Sequence, residues 1–136
     1  YFIFQMTHSF GAYNIFTDVT GFYAPQIPFL IGISSMLFLV GIYFAFRQKV
    51  HFPLVWILLV TIFGGVLLAG TPSSSHFVPS IPAICILVAL PLGWILETKR
   101  SHWAYVLLAG IIITDLTFYF VIYAANPSFD FSLPFP

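Results

Sequence analysis

Four apolar segments, at about 27–46, 53–70, 79–96 and 103–124, fill most of the chain, and no acidic or basic residue interrupts the first three. Each is 18 to 22 residues long, about what an α-helix needs to cross a hydrocarbon layer. This pattern predicts an all-α polytopic membrane protein with four transmembrane helices in a bundle. Only 6% of the residues are charged, where a soluble domain carries roughly 25%. A surface so poor in charge suits lipid on most sides. The formal net charge of zero offers no basic face to nucleic acid.

The breaks between segments set the topology. All four basic residues fall in two loops, Arg47 and Lys49 in one, Lys99 and Arg100 in the other. Two segments separate these loops, so a four-span chain has both on one face, which the positive-inside rule makes cytoplasmic. Trp56, Trp94 and Trp103 fall near that face as interface anchors. The turn Gly70–Pro82, with three prolines and four serines in thirteen residues, is predicted to be a non-helical reversal on the outside. The third helix should then begin near Pro79–Pro82 and bend at Pro91, which frees the carbonyl of Leu87.

Residues 1–25 mix aromatic and polar side chains and are too interrupted to span, so they read as an external, interfacial segment. Residues 126–136, beginning at Asn126-Pro127, read as an irregular external tail. Both termini are therefore external, in what we expect to be a bacterial inner membrane. Tyr1 in place of methionine leads us to expect a fragment or a processed chain.

Helices in lipid associate through close packing of small residues. Gly41 and Ala45 on the first helix, and Thr61, Gly65 and Ala69 on the second, recur every four residues and mark seams. Asp115 is the one formal charge deep in a segment, and its cost there directs it toward protein, ligand or water. No lysine, arginine or histidine lies at comparable depth. His76, in the external turn, is the second ligand or head-group candidate. Cys85 lies in an apolar run and is expected to be a small buried hydrophobe. The four histidines and one cysteine form no zinc spacing, and no phosphate loop or nucleophile motif occurs. We therefore expect no catalytic residue, no metal and no obligatory cofactor. Aromatic ends and apolar spans would suit contact with lipid, a quinone or a pigment.

Certain residues resemble the C-terminal membrane part of the family 39 polyprenyl-phosphate-sugar glycosyltransferases, relatives of the protein O-mannosyltransferases and aminoarabinose transferases. They are Asp18 to Pro28 before a span, Gly41 within it, Gly64-Gly65 in the next, then Thr71-Pro72, Ser75-His76 and Pro82-Ala83. That family carries its catalytic acids on an external loop upstream of the resembling part. Its members often follow the histidine with a basic residue, where this chain has Phe77. The resemblance thus carries over His76 alone, as a head-group contact. Two functional expectations follow. The first is a non-catalytic integral subunit within a larger membrane complex, with a respiratory or photosynthetic assembly as one host, contacting lipids and partner helices. The alternative is the C-terminal part of a lipid-linked-sugar glycosyltransferase.

Overall fold

A computed structural model describes residues 1–17, 27–68 and 73–124, and every regular element among them is helical. In chain order these are α1 (Phe2–Gly11), α2 (Gly32–Arg47) and α3 (His51–Thr61), the last continued by a π-helical stretch (Ile62–Val66). Next, α4 (Ser74–Phe77) passes through a 3-10 turn (Val78–Ser80) into α5 (Ile81–Leu96). Finally α6 (His102–Thr117) runs into a second π-helical stretch (Phe118–Tyr123). Ala69, Thr71-Pro72, most of the family-resembling stretch from Asp18, the stop at Asn126-Pro127 and the tail to Pro136 lie outside the described residues.

The expectation of four full-length spans is corrected. Among the described residues two helices are long and apolar enough to cross a membrane, Ser75–Leu96 (22 residues) and His102–Ile122 (21 residues), each with mean hydropathy 2.1. Gly32–Arg47 and His51–Val66 are apolar but shorter. At about 1.5 Å per residue, a helix of 16 residues such as α2 reaches about 24 Å, against about 30 Å of hydrocarbon. The start of α2 is late for a visible reason. Phe29 and Leu30 donate their N–H groups to the carbonyls of Ala12 and Tyr13, at 3.0 and 2.8 Å. The chain bends at residues 29 and 30, Ile31 is extended, and the helix waits until Gly32.

The proline-rich turn differs from expectation in the opposite direction. Helix already begins at Ser74 and continues into α5. Pro79 and Pro82 each lie in the opening turn of a new helical segment, where a missing N–H is harmless. Part of the N-terminal segment is helical. It forms α1, which packs on the π-helical end of α3, and Gln5 donates its side-chain amide to the Leu68 carbonyl at 2.8 Å.

The most extensive helix pairing is α2 with α5. Pro91 has no N–H, so the Leu87 carbonyl one turn earlier lacks its helical donor. That carbonyl faces Gly41, and a Cβ at Gly41 would collide with it. Ala45 is completely buried one turn further along α2, as is Leu87 on α5. The two backbones are therefore in direct contact, with a Cα–H beside an oxygen that has lost its i+4 donor. Farther down the pair, Phe44 and Trp94 meet with ring centroids 5.6 Å apart. Gln48 and Glu97 line one cleft there, so the two basic loops occupy the same end of the bundle. Lys49 turns the chain at that end with φ 60°, and the Val50 N–H closes on the Ala45 carbonyl at 2.9 Å, a Schellman-type stop.

Gly41→Ala should overpack this contact and cost about 1–3 kcal/mol, lowering the thermal midpoint of the detergent-purified protein. Gly93→Ala is the control, since nothing lies within 4 Å of a Cβ there. Equal midpoints for the two variants would refute the backbone contact.

Candidate functional site

Two polar constellations stand out from the apolar frame. The first is buried and structural. Tyr13 follows α1 and reaches into the bundle, where its hydroxyl lies 3.1 Å from that of Thr61. Thr61 gives its own hydrogen to the Ile57 carbonyl at 2.7 Å, so Tyr13 is the donor in the pair. Ser80 also approaches the phenol while donating to the Phe77 carbonyl at 2.6 Å. The Tyr13 ring meets Phe77 edge-on and Phe38 at a tilt, with centroids 5.4 and 5.5 Å away. Burial pushes the Tyr13 phenol above its ordinary range, more than its hydrogen bonds to Thr61 and Ser80 lower it.

Gly64 and Gly65 make room for this junction. A Cβ on Gly64 would approach the His76 carbonyl to 2.6 Å. One on Gly65 would meet the Ser9 hydroxyl at 2.6 Å and the Phe77 ring at 2.9 Å. Thr61 and Gly65 thus both face the junction of α1, α3 and α4, one on each side of the change from α to π geometry. Phe77 is one of the most buried side chains among those described.

The second constellation is an open groove of about 840 Å³ at the end of the bundle away from the basic loops. The start of α2 and the residues just before it, the first half of α5, and the far end of α6 with its π-helical extension form the walls. Most of the lining is aliphatic or aromatic. Its polar groups are the Asp115 carboxylate, the Cys85 thiol, and the hydroxyls of Ser34 and Tyr119. Ser34 already donates its hydrogen to the Ile31 carbonyl at 2.7 Å, which leaves lone pairs free to accept. Thr114, next to Asp115 in sequence, is turned back on its own helix and donates to Gly110 at 2.7 Å.

Asp115 therefore stands in a groove wall and is exposed there. His76 does not join it. It sits on α4 with its side chain exposed and is absent from the groove lining. Among the described residues no three His, Cys, Asp or Glu side chains gather in a metal-binding group. Cys85 is corrected. It is exposed and lines the groove between α2, α5 and α6. Among the described residues, the groove lining brings one carboxylate and one thiol together with aliphatic and aromatic side chains. The chain matches no protein-family model, no curated protein and no solved structure.

Tyr13→Phe should lower stability by about 0.5–1.5 kcal/mol, the usual net value of one hydrogen bond. The pH dependence has a defined sign. Since the folded phenol titrates above the unfolded one, its contribution is complete below about pH 10 and is lost as the pH rises through the folded value. Tyr13→Phe should remove that alkaline loss in thermal melts from pH 9 to 11. An unchanged alkaline slope would mean that another group is responsible.

Proposed function

We propose that this chain is a non-catalytic, membrane-embedded helical subunit that uses α6 to associate with other helices. One observation carries the reading: in the most apolar 18-residue window of His102–Ile122, no residue is buried. Val106, Ile113 and Phe120, seven residues apart along one side, are 54%, 64% and 62% exposed. That side lies roughly opposite Asp115 on the helix. Such a stripe needs lipid or a partner helix against it.

The bilayer reading draws support from the backbone accounting. In lipid every N–H and C=O needs a partner within the protein. The residues just before α2 find theirs on Ala12 and Tyr13. No described buried side-chain polar atom lacks a hydrogen bond. The short α2 and α3 then cross as parts of a bundle whose length α5 and α6 set, with modest thinning of the layer around them. Arg47, Lys49, Lys99 and Arg100 share one end, and the positive-inside rule assigns that end to the cytoplasm. The external end then carries α1, which acts as a plug on the bundle, and partners are membrane lipids and other integral subunits.

The test is a triple change, Val106→Ala, Ile113→Ala and Phe120→Ala, on the full chain isolated in mild detergent. We expect carbonate-resistant membrane retention and unchanged helix content, with loss of the larger species on native gels. An assembly of unaltered size would reduce α6 to a lipid-facing helix and end the subunit reading.

A further inference from the structure

We propose that the groove between α2, α5 and α6 binds an amphiphile bearing a protonated amine, its head on Asp115 and its hydrocarbon body along Leu30, Ile84, Val88 and Ile111. The inference goes beyond the association of α6 and does not depend on it, since the α6 stripe lies on the other side of the helix.

Charge comes first. The chain has four lysines and arginines in all, and they occupy the opposite end of the bundle. Asp115 is thirteen residues beyond His102, about 20 Å along the helix at about 1.5 Å per residue. The histidines offer no substitute. His8 is stacked between Phe4 and Phe16, at 3.7 and 4.2 Å, His51 and His102 begin α3 and α6 at the basic end, and His76 is absent from the groove lining. Segments 18–26, 69–72 and 125–136 contain no lysine, arginine or histidine. None of the lysines, arginines and histidines of this sequence is thus placed to neutralise Asp115.

The walls select which cation. A metal ion would need several oxygen or nitrogen ligands, and this lining has one carboxylate. An ammonium head instead carries several donors and no acceptor. Asp115 offers two acceptor oxygens, and Ser34, with its hydrogen already spent on Ile31, offers another acceptor. A charge-assisted bond of this kind is stronger than a neutral one. The remaining lining is hydrocarbon, and about 840 Å³ falls within the roughly 300–1,000 Å³ typical of small-molecule sites. An amine with an alkyl tail satisfies both parts of the groove.

Cys85, the one cysteine of the chain, is a built-in reporter, because its thiol lines the same groove. The experiment measures alkylation of Cys85 by N-ethylmaleimide in the full chain, in nanodiscs, with dodecylamine, dodecanol or dodecanoate present. At about ten times its Kd, dodecylamine should slow labelling roughly tenfold, while the alcohol and the acid protect far less at equal membrane concentration. Asp115→Asn should erase the preference for the amine, and Ser34→Ala should weaken it. Equal protection by all three probes, or none, would overturn the proposal on the native chain alone, even if the variants failed to fold. So would carbodiimide coupling of Asp115 to a lysine of a copurified subunit, which would give the counter-charge to a protein partner.

Discussion

The bundle depends on a single backbone-to-backbone contact, the Leu87 carbonyl of α5 against Gly41 of α2. A proline inside a helix usually counts as damage, because it leaves a carbonyl unpaired. Here Pro91 removes the i+4 donor of Leu87, and the opposing helix supplies the residue type that can come this close to the carbonyl. The two features explain each other. Without Pro91, Gly41 would be an unexplained loss of helix propensity; without Gly41, that carbonyl would be buried at a cost. Close approach at this point also brings Ala45 into the core and lets Phe44 and Trp94 meet below it.

From this axis outward, deviations from regular helix occur where something must fit. The π-helical stretch after Thr61 holds two glycines at the place where α1 and α4 press closest. A π turn widens the helix and shifts the register of its faces, so Thr61 can serve Tyr13 while Gly65 receives Ser9 and Phe77. The second π-helical stretch, after Thr117, brings Phe118 and Tyr119 both into the groove wall. Both interruptions lie toward the end that carries α1 and the groove. The basic end is closed by ordinary helix stops and short turns.

Much of the frame was legible in the sequence, because apolar length and the placement of charge are one-dimensional signals. The all-helical class and the placement of the basic loops could be anticipated from residue type and spacing. The misjudged features were set by contacts between distant residues. Helix α2 starts late because residues 29 and 30 bond to Ala12 and Tyr13, a pairing that no local propensity encodes. The third helix was placed at Pro79–Pro82, and segments do open on both prolines, but a short helix, Ser74–Phe77, already precedes them. Cys85 was assigned to the interior from the hydrophobicity of its neighbours. It is exposed instead, in the wall of the groove between α2, α5 and α6. Asp115 could be singled out as an oddity by its depth alone. The groove around it could not, since it needs three helices separated by up to ninety residues.

The distribution of charge ties these observations together. Lys and Arg gather at one end of the bundle beside Glu97, while the only carboxylate in the groove stands alone near the other. In a medium of low dielectric, opposite charges about 20 Å apart do little to offset each other's loss of solvation. The chain is therefore neutral in sum but not locally. Local neutrality at Asp115 has to come from a proton or from a bound cation, and the two differ in what they demand of the walls. A proton requires nothing of them. A cation with an apolar body requires a carboxylate, a free acceptor and a hydrocarbon-lined volume, and those are what α2, α5 and α6 together surround.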